Sequence, residues 1–85
     1  MKPVVVYTAS YCGYCRAAKE LLSRKGVSFT ERDVTEDDAE RERLTARTGQ
    51  RTVPQIFIGE THVGGYSDLE ALERAGKLDA LLRAE

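Results

Sequence analysis

Two thiols three residues apart, in Cys12-Gly13-Tyr14-Cys15, are the first residues here able to do chemistry. They stand where the apolar run Val4-Val5-Val6-Tyr7 gives way to a segment of helical periodicity from Tyr14 to Lys25. A thiol at a strand-to-helix junction sits among helix N-terminal amides that have no intrahelical partner, and these together with the helix dipole favour an anion. The anion of a cysteine is the thiolate, which is the species that attacks disulfides. The second cysteine lies almost one turn further along, close enough to attack a mixed disulfide formed at the first. Two other uses of such a pair stay in view. One is a pair of small apolar core residues. The other is a zinc site, which needs four ligands, whereas the chain has two cysteines and a single histidine, His62. A lone histidine in an apolar run is read as a half-exposed strand residue rather than a ligand or base.

The elements that must position these thiols follow from the pattern of the chain. Pro3 to Thr8 reads as a strand and Tyr14 to Lys25 as a helix with Ala18, Leu21 and Leu22 inward, stopped by Gly26. Val27 to Val34 contains a second strand. Thr35 offers an N-cap for a polar helix over 36–47, supported by an Asp37–Arg41 pair and short of apolar surface beyond Ala39, Leu44 and Ala46. Pro54 to Ile58 and Thr61 to Val63 are strands joined by a tight turn at Gly59-Glu60. Ser67 and Glu70 form a capping box for the last helix, which buries Leu69, Leu72, Leu78, Leu81 and Leu82 and is divided by Gly76. The order β-α-β-α-β-β-α, with a crossover followed by a hairpin, implies an α/β fold: a four-stranded mixed sheet flanked by three helices.

At 85 residues and 9.5 kDa the chain has the size of one domain, expected to span 1–85. No apolar run approaches the roughly 18 residues of a membrane span, so no membrane is expected as partner. Met1-Lys2-Pro3 leads straight into the first strand and leaves no room for a signal peptide. Two thiols without an export signal point to a reducing compartment, the cytoplasm, where such a pair is more often catalytic than structural. The net charge of −1 does not favour a polyanion such as nucleic acid. Charge is nonetheless unevenly spread. Residues 1–30 carry Lys2, Arg16, Lys19, Arg24 and Lys25 against Glu20, a net of +4 around the thiols. Residues 31–42 carry seven acidic side chains against Arg32 and Arg41, a net of −5. The basic cluster supports a thiolate and attracts a small anion; for Lys19, Arg24 and Lys25 a solvated helix face explains it equally well. Arg16 lies in the first turns beside the thiols.

Two further segments suit one ligand. In Thr52-Val53-Pro54, the residue before proline is biased to extended backbone and can offer its N–H and C=O to a peptide laid alongside. Gly65-Tyr66-Ser67-Asp68 opens a helix, so its amides suit an anion, while the Asp68 carboxylate suits an ammonium. Carboxylate, ammonium and a cysteine-centred backbone are the groups of glutathione. Each segment also has a plain structural use, Pro54 to begin an edge strand and Ser67/Glu70 to cap a helix.

In Tyr7-Thr8, Cys12-Gly13-Tyr14-Cys15, Gly49, the run Thr52 to Gly59 and the run Gly64 to Leu69, the chain resembles the glutaredoxins over nearly its whole length, about Val5 to Leu82. The resemblance implies a thioredoxin-like fold, a cis Val53–Pro54 bond, and a monomer that uses glutathione as reductant to act on disulfide-bearing or glutathionylated proteins. It implies Cys12 as nucleophile and Cys15 as resolving thiol. Tyr14, Thr52, Val53, Pro54, Gly65, Ser67 and Asp68 become glutathione contacts, with Arg47 and Arg51 near the glycine carboxylate. Ala9 stands where many members carry lysine, Gly13 where proline is usual, and Tyr66 where a third cysteine is frequent. Glycine between the thiols is associated in this family with a 2Fe–2S cluster bridging two chains, each giving its Cys12 alongside a glutathione thiolate. That cluster-bridged homodimer is the alternative role. A thioredoxin-type specificity, with a flavoprotein as reductant, is a third.

Overall fold

The computed structural model describes residues 1–83; Ala84 and Glu85, the end of the expected domain, lie outside the described residues. Strands β1 (Val4–Thr8), β2 (Thr30–Asp33), β3 (Gln55–Ile58) and β4 (Thr61–Gly64) form one sheet in the order β2-β1-β3-β4. β1 runs parallel to β2 and antiparallel to β3, and β3 pairs antiparallel with β4. The sheet is therefore mixed, as the crossover-then-hairpin pattern requires. Val4 and Val6 point to one face and Tyr7 to the other, so the central strand β1 is covered on both sides.

One face packs helix α1 (Gly13–Arg24) and helices α3 (Tyr66–Arg74) and α4 (Leu78–Arg83) onto Val4, Val6, Ile56 and Ile58. Cys15, Ala18, Leu21 and Leu22 form the buried stripe of α1, at the spacing of one helical face. The other face carries α2 (Asp38–Thr48), whose single buried residue, Leu44, meets Tyr7, Val34 and Phe57. The last helical region is divided at Gly76, as expected, into α3 and α4. Gly76, in left-handed backbone at φ +72°, ends α3 by donating to the Glu73 carbonyl, and Lys77 donates to that of Leu72. Among the described residues the three expected helical regions are therefore present as four helices, the last one in two segments.

Two caps differ from those expected. α2 begins at Asp37, whose carboxylate accepts the Glu40 N–H at 3.0 Å. Thr35 is drawn away from capping because its N–H and hydroxyl both donate to Asp33. α3 begins at Gly65, where the Asp68 carboxylate accepts the Gly65 N–H at 3.0 Å, so the cap is a single bond made two residues before the expected Ser67 and Glu70 box. Gly64 carries φ +116°, and a Cβ there would sit 3.0 Å from Asp68 Cγ. Only glycine leaves room for that carboxylate.

Candidate functional site

Cys12 is the N-cap of α1. Its backbone is extended (φ −105°, ψ 110°) and its Sγ accepts the Cys15 N–H at 3.2 Å. The sulfur therefore does the work that a serine or aspartate oxygen does at an ordinary helix start. On its other side the thiol donates to the Val53 carbonyl at 3.4 Å. Val53 precedes Pro54 across a cis peptide bond, as the resemblance implied. Cys12 is half-buried, whereas Cys15, on the inner face of the same helix, is 1% exposed. Burial first, and then the hydrogen bond and charge of Cys12, push the Cys15 thiol up to about 12 from an ordinary 9.0; the Ala9 backbone opposes this. Two thiols of one motif thus face different media.

The segment that meets Cys12 is tied down from below. Gln55 is fully buried, and its Nε2 donates to the carbonyls of Gln50 (3.0 Å) and Thr52 (2.9 Å). Its Oε1 lies 3.0 Å from His62 Nε2, and the His62 ring packs on Phe57 at 4.9 Å between centroids. His62 is half-buried, and its role is to complete the polar shell of Gln55. The loop before Cys12 is anchored too, by Ser10 N–H donating to Thr35 Oγ1 at 2.8 Å and Cys12 N–H to the Ala9 carbonyl at 3.2 Å.

Beside the thiol runs a groove of about 320 Å³ lined by Tyr14, Thr52, Val53, Pro54, Gly65, Tyr66 and Ser67. Six of the residues expected to contact glutathione therefore share one surface, although they come from three separated segments. Asp68 adjoins that surface, one oxygen on the Gly65 N–H. Tyr66 was legible in the sequence only as a cysteine not present. The structure stacks its ring on Tyr14 at 6.1 Å with a 24° tilt, and its hydroxyl donates to Glu70 at 3.3 Å. Only the approach of α3 to α1 brings those rings together, so no local signal marks the pair.

Arg47 and Arg51 do not line the groove. The Arg47 guanidinium lies 4.2 Å over the Phe57 ring, where the ring face attracts it. The exposed Arg51 side chain reaches Glu42 at 3.5 Å. The expected Asp37–Arg41 pair is also replaced. Asp37 is occupied as a cap, and Arg41 donates to Tyr11 Oη at 3.0 Å and to the Arg51 carbonyl at 3.4 Å. Lys19, a candidate thiolate-supporting cation, pairs with Glu31 at 2.9 Å. The buried Thr8 hydroxyl also donates to Glu31, at 2.7 Å. Thr8 first, and then Lys19, hold the Glu31 carboxyl below its ordinary range. Arg16 remains exposed beside the thiols.

No helix among the described residues is long and apolar enough to cross a membrane. The glutaredoxin family model matches residues 4–63. The chain is 60% identical over 84 residues to a glutaredoxin of Pseudomonas aeruginosa, covering 99% of this chain and 100% of that one. It is 51% identical over 83 residues to glutaredoxin 3 of Escherichia coli K12, covering 98% of this chain and 100% of that one. Among solved structures it superposes on the buckwheat glutaredoxin–glutathione complex with a TM-score of 0.89 and 38% identity, over 95% of this chain and 76% of that one. With the fold, the paired thiols and these likenesses agreeing, the chain belongs to the glutaredoxin family.

Proposed function

We propose that this chain is a glutathione-dependent thiol–disulfide oxidoreductase acting on protein disulfides and on protein–glutathione mixed disulfides. The observation that carries the reading is the placement of Cys12. Its sulfur caps a helix and touches the carbonyl of Val53, a residue lining a groove whose walls suit a glutathionyl group. In that groove Thr52, Val53 and Pro54 supply backbone to the cysteinyl unit of glutathione, and Tyr14 supplies a flat wall. The amides of Tyr66 and Ser67 at the start of α3 receive a carboxylate, and Asp68, held by the Gly65 N–H, pairs with the ammonium. The buckwheat relative, solved as a glutathione complex, supports the choice of ligand. The chemistry suits a reducing compartment such as the cytoplasm.

On a glutathionylated protein, the Cys12 thiolate attacks the glutathione sulfur. A Cys12–glutathione bond forms as the protein–glutathione bond breaks, and the protein thiolate leaves and takes a proton. A second glutathione thiolate then attacks the glutathione sulfur on Cys12, releasing glutathione disulfide and restoring the Cys12 thiolate. On a protein disulfide, Cys12 forms the mixed disulfide and Cys15 attacks Cys12 Sγ, leaving a Cys12–Cys15 disulfide and a reduced protein. Two glutathiones reduce that disulfide. The first attack also prepares the second. Once Cys12 is capped, its charge and its hydrogen bond no longer raise Cys15, and the resolving thiol ionises more readily.

The test is glutathione-driven turnover of a glutathionylated peptide by the wild type, Cys12→Ser and Cys15→Ser. Activity is expected in the wild type and Cys15→Ser and loss in Cys12→Ser. Inactivity of both the wild type and Cys15→Ser, with the wild type still reduced by a thioredoxin reductase, would replace this reading by the flavoprotein-dependent one.

A second reading coexists with catalysis: a 2Fe–2S cluster bridging two chains, each giving its Cys12 and a bound glutathione thiolate. It is favoured by the half-exposed Cys12 and by Gly13, around which a Cβ would meet nothing within 4 Å. Among the described residues no group of three or more His, Cys, Asp or Glu stands ready to hold a metal, so a lone chain does not suffice. Anaerobic reconstitution should give a brown dimer that Gly13→Pro weakens; a colourless monomer would remove this reading.

A further inference from the structure

Cys12 meets Val53 because two loops are held side by side, one ending at Cys12 and the other running through Arg51 to Val53. We infer that Arg41 is the positioning residue that sets the distance between these loops. Its Nη1 donates to the hydroxyl of Tyr11, the residue before Cys12, at 3.0 Å. Its Nη2 donates to the carbonyl of Arg51, two residues before Val53, at 3.4 Å. The guanidinium is a rigid planar fork, so one group binds acceptors in two directions at a fixed spacing. The acidic residue four positions back, Asp37, is engaged as the N-cap of α2. The tie also accounts for Tyr11, a residue 68% exposed: the tyrosine is there for its hydroxyl, not for burial.

Arg41 touches neither sulfur nor the groove, so its loss should alter how the groove receives a ligand and leave sulfur exchange itself alone. The functional readout rests on the glutathione-dependent reading above. Arg41→Met keeps the apolar stem and removes the fork. It should raise KM for a glutathionylated peptide about fivefold, the worth of a lost hydrogen bond or two, with kcat within about twofold. Arg41→Lys should not rescue, since a single ammonium cannot span both acceptors. Tyr11→Phe should give a smaller rise, and adding it to Arg41→Met should give no further loss. An unchanged KM in Arg41→Met, full rescue by lysine, or a defect confined to kcat would each overturn the inference. If Arg41→Met does not fold, Tyr11→Phe, which removes one exposed hydroxyl, carries the test by the same split. If the wild type itself fails to turn over the peptide, the functional reading has failed rather than this one. Amide hydrogen exchange then decides: faster exchange over 10–12 and 51–53 in Arg41→Met supports the tie, and unchanged exchange refutes it.

Discussion

Alkylation of the two thiols separates the chemistry of Cys12 from that of Cys15 without any substrate. Cys15 sits at about 12 against an ordinary 9.0, chiefly through burial. Near pH 7 an ordinary thiol of that kind is about 1% thiolate, and one at 12 is about a thousandfold less ionised. Exposure acts in the same direction, since the Cys15 side chain is 1% accessible. Iodoacetamide near neutral pH should therefore label Cys12 and leave Cys15 bare, read position by position by tandem mass spectrometry.

Cys12→Ser sharpens the measurement, because serine preserves a capping oxygen while removing the thiol that contributes to raising Cys15. Burial, the larger cause, remains. In that variant Cys15 should react at least about a hundredfold more slowly than Cys12 does in Cys15→Ser. Its rate should climb about tenfold per pH unit through pH 10, with no plateau near 9. In denaturant the plateau should return to the ordinary range. A Cys15 plateau at or below 9 in the folded protein, or labelling within about tenfold of Cys12, would refute burial as the cause of its inertness. Stability follows the same sign. A group raised on folding contributes fully below its unfolded value, so this contribution persists up to about pH 9 and is lost as the pH rises towards 12.

Gly64→Ala should destabilise the chain by about 1–3 kcal/mol in denaturant unfolding, since φ +116° is strained for alanine and its Cβ would press on Asp68. The same change should raise KM for glutathione; wild-type values of both quantities would count against the role given to that carboxylate. Glu31 is held below its ordinary 4.5 by Thr8 and then Lys19, so its contribution is present above that value and lost as the pH falls through the folded one. Glu31→Gln should lower Tm near pH 7, and the gap to wild type should close near pH 3; a gap that persists in acid would place its origin in packing instead.

The parts of the site that could be read along the chain are those encoded by adjacent residues. Cys12 to Cys15, Thr52 to Pro54 and Gly64 to Asp68 each define a local backbone geometry, and all three recur in space where their order implied. The alternation of apolar stretches likewise placed four strands in the sheet. What escaped was the choice of partner by a side chain with several within reach. Thr35 had the composition of a cap, yet Asp33, two residues back, took its donors. Arg41 stood four residues from Asp37, the favoured helical spacing, but turned to a loop ten residues away and a tyrosine thirty away. Arg47 found an aromatic face on β3 that no window of sequence places beneath it. Gln55 reads as an ordinary polar residue in a strand, although its amide is fully buried and organises the whole loop. Such choices depend on which surfaces the sheet brings together.

The two thiols also show why the helix must begin where it does. Were α1 to start one turn earlier, Cys12 would lie within the helix, and its sulfur would lose the Cys15 N–H that it now accepts as a cap. Were the inward stripe rotated by one residue, Cys15 would leave the core beside Ala18 and Leu22, and its thiol would become ordinarily reactive. A spacing of three satisfies both demands, leaving one sulfur at the mouth of the helix and the other buried on its inner face. In the proposed reaction the pair works in sequence: the accessible thiol reacts first, and the buried one acts when a disulfide has been brought to it.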